Sequence, residues 1–189
     1  MKKIFAFIFA RGGSKGLPKK NILPLNGKPL LAYSIDVAKK IDSIEKIFVS
    51  TDDDLIRAVA IEYGATVINR PKKLAKDDSP EIEAWRHAIK YLQDKNEHFD
   101  VFVSLPATAP LRNDLDVRNC IKTLDEEVDM VITATPASRS PYFNMVSRDK
   151  NGFSKVIIDS QRFTSRQDVP DAYDVTTVAY VTRPKYIMK

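Results

Sequence analysis

The sequence predicts an α/β fold of three layers: a mostly parallel sheet with helices on both faces, and a small irregular, partly β extension. Three observations predict it. Short apolar runs alternate with helical apolar stripes from Ile4 to Thr135, the connections between them are short, and the polar loops recur at the carboxyl ends of the strands.

The first strand is the clearest. Ile4–Ala10 is short, apolar and rich in Ile and Phe, as in a strand buried on both faces, and it stops abruptly at Arg11-Gly12-Gly13-Ser14-Lys15-Gly16. Three glycines in five residues let the backbone approach an anion, and Arg11, Lys15, Lys19 and Lys20 supply charge for phosphoryl oxygens. The loop fits neither the Walker A pattern nor the Gly-x-Gly-x-x-Gly fingerprint. On composition it reads either as a phosphate cradle or as a solvated turn.

Charge placement favours the cradle. The first 35 residues hold seven Lys or Arg and no Asp or Glu, leaving 23 basic against 25 acidic residues in the rest of the chain. The whole net charge of +5 therefore belongs to this end. One concentrated basic site points to one small phosphorylated ligand rather than to nucleic acid, which calls for repeated basic patches with interleaved aromatics.

The remaining elements follow in order. Asn26-Gly27 marks a turn and Pro29 suits a first helical turn, after which Leu30, Leu31, Ser34, Ile35, Ala38 and Ile41 form one apolar stripe. Lys46–Ser50 reads as the second strand. Thr51 is the expected N-cap of a helix with Leu55, Ile56, Val59, Ala60 and Tyr63 inward, and the acidic run Asp52–Asp54 reads as that helix start. Gly64 ends it. Ala65–Asn69 is the third strand and Arg70–Ser79 a polar loop. Pro80–Lys95 is a helix with Ile82, Trp85, Ile89 and Leu92 on one face, and Val101–Leu105 is the fourth strand. Asp114–Asp125 is a helix using Leu115, Val117, Cys120, Ile121 and Leu124, and Met130–Thr135 is the fifth strand.

From Pro136 the rhythm breaks. Ser138–Met145 has neither helical nor strand period, and Phe153–Ile158 reads as a strand outside the main alternation. An excursion at about residues 136–160 is expected to act as a lid or an oligomer arm on a single domain spanning residues 1–189. Val178–Val181 returns as a strand, and Pro184 opens a helix that has no room to complete, so the fold is expected to continue past Lys189.

A chain of 189 residues with 43% hydrophobic and 29% charged residues suits one globular domain. No apolar run approaches a membrane span, and the start lacks a secretory signal pattern, so the cytoplasm is the expected location. The single cysteine, Cys120, sits in a helical pattern and reads as a core residue.

The motifs carry a resemblance. The stretch from Ala10 to Ile22 closely resembles the signature of the acylneuraminate cytidylyltransferases, the CMP-sialic acid synthetase family, which includes enzymes for legionaminic and pseudaminic acid. Agreement continues at Val49–Asp52, Asn69–Pro71, Ala75–Ser79, Thr108–Arg112, Pro141–Asn144 and Ser165–Asp168, across the whole chain. The resemblance implies a Rossmann-like nucleotidyltransferase in which the anomeric hydroxyl of a nonulosonic acid attacks the α-phosphorus of CTP and releases pyrophosphate. It implies a homodimer, and Mg2+ held by an Asp-x-Asp pair expected beyond residue 189.

By matching position, Arg11 and Lys15 hold the triphosphate with Gly12, Gly13, Ser14 and Lys20, and Asn21, Arg70 and Ser79 contact the nucleotide. Arg166 falls where the family has a catalytic arginine near the sugar acid. Thr108, Arg112, Gln167 and Tyr180 complete the implied substrate contacts. Plainer readings stand beside these. Arg70 reads also as an exposed loop arginine, Arg112 as a brace for the loop after the fourth strand, and Arg166 as half of a surface pair with Asp168. Ser79 reads also as the N-cap of the following helix, and Tyr180 as core.

The chain departs from the family at Pro106, where an amide side chain is usual, and at Thr176-Thr177, where Asn-Gly is usual. Both departures leave the acceptor open to Kdo or a sugar phosphate. The missing metal carboxylates leave open a nucleotide-binding module without catalysis.

Overall fold

The computed structural model describes residues 2–159, 165 and 167–189. Contacts divide the chain into two units, one running up to Thr133 and resuming at Thr177–Lys189, the other within Ala134–Thr176.

The first unit is built on a six-stranded sheet. Its strands are β1 (Ile4–Phe9), β4 (Ile44–Thr51), β5 (Thr66–Asn69), β6 (Val101–Ser104), β7 (Met130–Pro136) and β10 (Tyr173–Thr182), in the order β5-β4-β1-β6-β10-β7. β1 pairs in parallel with β4 and β6, β4 pairs in parallel with β5, and β10 runs antiparallel to β6 with Tyr180 opposite Ser104. The sheet is therefore mixed and mostly parallel. β1 is the switch strand: the chain builds outward from it through β4 to β5, then returns to its other side as β6.

Alternation along β1 separates two cores. Ile4, Ala6 and Ile8 face an aliphatic layer made with α1 (Leu30–Lys39), α2 (Asp54–Glu62) and α4 (Asp114–Thr123), through Leu31, Ile35, Ile56, Ala60, Val117 and Cys120. Phe5 and Phe7 face an aromatic layer with Phe48, Phe102 and Trp85, closed by α3 (Glu81–Gln93) and by Ile187 of the one-turn helix α5 (Pro184–Ile187). The Phe7 ring lies 4.5 Å from that of Phe102 and 5.4 Å from that of Phe48, spacings at which stacked rings add to area burial. Cys120 is buried, and burial raises its thiol pKa, which keeps it protonated and inert.

Several sequence expectations need correction. Thr51 still pairs with Asn69 as a strand residue, so the N-cap of α2 is Asp53, whose carboxylate accepts from the amides of Leu55 and Ile56 at 2.9 Å. Leu55 and Leu115 point outward, 50% and 61% exposed, because Ile56 with Ala60 and Val117 with Cys120 take the inward register. Ser79 does not cap α3. Pro80 occupies that position, and the Ser79 hydroxyl donates to the Lys73 carbonyl at 2.8 Å. The strand expected over Phe153–Ile158 is shorter and the return strand is longer, while Pro184 opens a helix of one turn, α5. Between β1 and α1, a small hairpin of β2 (Pro24–Leu25) and β3 (Lys28–Pro29) turns at Asn26 and Gly27, both at positive φ as such a tight turn requires.

In the second unit, β8 (Val146–Arg148) pairs antiparallel with β9 (Ser154–Val156). The Asp149 carboxylate closes their turn by accepting from the amides of Asn151 and Phe153, with Gly152 at φ +90°.

Candidate active site

The site forms where strands of the first unit end. The carboxyl ends of β1, β4, β5 and β6 lie on one edge, and β10, running the other way, brings residues 177–180 to the same edge. Ligands in open α/β sheets bind at this edge, beside the strand where the order reverses.

A cleft of about 570 Å³ opens there. After β1 it is lined by Arg11, Ser14, Lys15, Lys20 and Asn21; after β5 by Arg70, Lys76, Asp77 and Ser79. The far wall is Pro106, Ala107 and Thr108 after β6, with Thr177 and Tyr180 from β10. Phe9, Leu74 and Ala84 give it an apolar floor. Gly13 lines a smaller adjoining pocket of about 190 Å³ with Ser14, Lys15 and Asp77. Gly12 and Arg112 lie outside the lining of both. Gln167 is exposed in the second unit, and Arg166 lies outside the described residues.

The glycine loop is fixed from beneath. The Gly12 amide donates to the Asp52 carboxylate at 3.0 Å, and the Asn21 side chain donates to the Arg11 carbonyl at 3.1 Å. Asp52 thus does more than start a helix: it anchors the loop to the end of β4. Lys19 adopts φ 55°, a left-handed turn that leads into a short 3-10 segment at Lys20–Ile22.

Gly12 leaves no room for a side chain. A β-carbon there would lie 2.7 Å from Asp53 Oδ2 and 2.9 Å from its Cβ, whereas one at Gly13 meets nothing within 4 Å. Gly12→Ala must therefore displace either the loop or the cap of α2. It is expected to cost about 1–2 kcal/mol, the size of a lost N-cap, and to weaken CTP binding. Gly13→Ala is expected to melt like wild type. Equal melting temperatures for the two variants would refute this packing argument.

Arg70 is buried, only 8% exposed, which corrects its reading as an exposed loop arginine. Its Nε donates to Ser50 Oγ at 3.2 Å and its Nη2 to the Ser50 carbonyl at 2.6 Å, with the guanidinium 5.6 Å over the Phe9 ring. Burial lowers its pKa to about 10, against the raising effect of Asp52 and Glu81, so it stays cationic at neutral pH. A fixed, desolvated cation at the cleft wall is a strong anchor for an anion or a carbonyl.

Arg112 serves as a brace. Its Nη2 donates to Ser34 Oγ at 2.6 Å and to the Pro106 carbonyl, and its Nη1 donates to the Val178 carbonyl. It ties the loop after β6 to α1 and β10. Burial lowers its pKa as well, to about 10.

Asp77 is the site residue that sequence reasoning missed. Its carboxylate meets Arg11 Nη2 at 2.7 Å and Lys15 Nζ at 2.8 Å. The hydrogen bond from Lys15, then the charges of Lys15 and Arg11, hold the Asp77 pKa below the usual carboxylate value. A depressed carboxylate pKa gives stability that is present above the unfolded value and lost as pH falls through the folded one. The pairing therefore persists at neutral pH.

Among the described residues no group of three or more His, Cys, Asp or Glu could hold a metal ion. The nearby carboxylates are engaged otherwise: Asp52 with the Gly12 amide, Asp53 as a cap, Asp54 with Arg57, Asp77 with the loop cations, and Glu81, in the cleft lining, with the Trp85 indole. Among the described residues these carboxylates do not make a Mg2+ cage. No described helix is long and apolar enough to cross a membrane.

The chain is similar over all or most of its length to the following relatives. Post-translational flagellin modification protein B of Campylobacter coli is 35% identical over 192 residues, covering 100% of this chain and 81% of that protein. CMP-N,N'-diacetyllegionaminic acid synthase of Campylobacter jejuni is 37% identical over 196 residues, with the same coverage of 100% and 81%. Pseudaminic acid cytidylyltransferase of C. jejuni is 35% identical over 178 residues, 90% of this chain and 74% of that one. Among solved structures, CMP:2-keto-3-deoxy-manno-octonic acid synthetase complexed with CTP shares the fold at TM-score 0.72 and 16% identity, over 98% of this chain and 76% of that one. The cytidylyltransferase family model matches residues 5–183. With that match spanning the sheet and the whole cleft, the chain belongs to the cytidylyltransferase family of nucleotidyltransferase enzymes.

Proposed function

We propose that this enzyme joins CMP from CTP to the anomeric hydroxyl of a nonulosonic acid. The hydroxyl oxygen forms a bond to the α-phosphorus, the bond from that phosphorus to the bridging oxygen of the β-phosphate breaks, and pyrophosphate leaves as the hydroxyl gives up its proton to solvent water. Arg11, Lys15 and Lys20 take the triphosphate, and Arg70, Asn21 and Ser79 take the rest of the nucleotide. Nucleotidyl transfer asks a protein chiefly to position groups and neutralise charge, and Arg11, Lys15 and Arg70 around one cleft suit that task. The observation that carries the reading is this convergence of cations from two strand ends, those of β1 and β5, on a cleft within a cytidylyltransferase chain.

The test is pyrophosphate release with CTP, Mg2+ and N-acetylneuraminic, legionaminic or pseudaminic acid in turn. Release with at least one is expected. Silence with all three, from folded protein that binds CTP, counts against the reading. Mg2+ belongs in the assay because hard divalent cations offset phosphate charge in such transfers.

A second acceptor class, Kdo or a sugar phosphate, is favoured by one observation: both departures from the family pattern, Pro106 and Thr177, sit in the cleft wall. The same assay with those acceptors decides between them. CTP binding without turnover on any acceptor would instead mark a nucleotide-binding module. A cytoplasmic homodimer is the proposed form. Exposed Phe143, Val146, Phe153 and Ile157 within residues 134–176 support an assembly surface there, and light scattering checks the mass.

A further inference from the structure

Two cations of the glycine loop share one carboxylate. Arg11 and Lys15 reach across the cleft to opposite oxygens of Asp77, at 2.7 and 2.8 Å, and Arg11 Nη1 also donates to the Ala75 carbonyl at 3.5 Å. The geometry is that of two cations on two oxygens of one anionic group, which is how they would grip a phosphate. Asp77 comes from the loop between β5 and α3, 62 residues beyond Lys15 in the chain, so the pairing pins that loop to the phosphate loop.

We propose that Asp77 is a built-in competitor for the phosphate-binding cations, which a polyphosphate must displace before Arg11 and Lys15 engage it. The inference rests on the nucleotide-binding reading above and deepens it. A ligand with one weakly held charge does not repay loss of a carboxylate that already satisfies both cations. A triphosphate, with several anionic oxygens, takes over both contacts and gains others from Lys20 and the loop. Displacement also frees residues 71–79 from the glycine loop, and Leu74, Lys76 and Ser79 among them line the cleft. Nucleotide arrival and movement of that loop are thereby coupled through a single side chain.

Because the Asp77 side chain is 41% exposed and Lys15 is 81% exposed, the pairs are weakly held and exchangeable. Asp77→Asn keeps the shape and removes the competing charge. It is expected to tighten binding of CTP and of inorganic tripolyphosphate by about three- to tenfold, the range that one or two exposed ion pairs span. Asp78→Asn makes the same change of net charge at an exposed neighbour outside the cleft lining, and is expected to shift either affinity by less than about twofold.

Calorimetric titration of wild type and both variants with the two ligands decides the matter. Asp77→Asn binding no tighter than wild type, or weaker, would overturn the inference, since a carboxylate that merely orients the cations helps binding. Equal tightening in Asp78→Asn would overturn it too, because the general field would then account for the gain. Wild type that binds neither ligand would overturn the phosphate-cradle reading and this inference together. Wild type that binds both, beside an unimproved Asp77→Asn, would overturn this inference alone.

Discussion

Arg11→Ala is expected to lower kcat/KM for CTP by about 10²–10³-fold, the usual cost of removing one preorganised donor from a site where phosphoryl charge develops. Arg11 is the first residue past Ala10, whose amide still bonds the Ser50 carbonyl at 3.1 Å, so its backbone is held by the sheet. Its side chain is part-exposed and its charged partner is Asp77 on a loop. Stability should therefore change by no more than about 1 kcal/mol. Lys15→Ala removes the second cation and is expected to lose most activity as well. Pyrophosphate release and thermal melting, measured on the same preparations, separate the two effects. Both variants turning over at the wild-type rate would remove the role assigned to the loop.

The loop could be recognised from sequence because its chemistry is local. Glycines and cations adjoin one apolar strand, and a one-strand, one-loop unit needs no long-range information. The same holds for the alternation in β1, where aliphatic and aromatic residues sort themselves between two cores. Arg70 was harder. A polar run with Pro71 after it looks solvated, and only the fold reveals that Ser50, twenty residues earlier, receives its guanidinium. Asp77 was invisible for the same reason: among several charges in a polar loop, nothing local marks the one that meets Arg11 and Lys15.

Errors in element placement have equally specific causes. Thr51, Asp52 and Asp53 can all cap a helix, and the choice fell to Asp53 because the strand pairing with β5 extends through Thr51. Leu55 and Leu115 fit a broad apolar stripe, yet a helix against a sheet buries one narrow face, and the neighbouring Ile56 and Val117 occupy it. The direction of β10 could not be read, because a long excursion rather than a helix connects it to β7, and such a connection imposes no parallel crossover.

Arg112 separates its two readings by what its removal would cost. As a brace, its guanidinium satisfies the carbonyls of Pro106 and Val178 and the Ser34 hydroxyl, all in a buried junction. Arg112→Ala leaves the Val178 carbonyl without this donor and loses packing. The Pro106 carbonyl keeps the Ser34 hydroxyl, at 3.3 Å, and the Ala109 amide, at 3.4 Å. The expected loss is about 2–4 kcal/mol, since hydrogen bonds from a charged donor contribute about 1.5–3 kcal/mol each and do not add fully. For a chain of this size that lowers the melting temperature by roughly 4–16 °C. Arg112→Lys is expected to recover little, because one ammonium cannot span three acceptors that a planar fork reaches together. CTP affinity should fall less than stability, through loosening of the wall at Pro106–Thr108. A variant that melts like wild type and yet fails to bind CTP would reverse the assignment and make Arg112 a nucleotide contact.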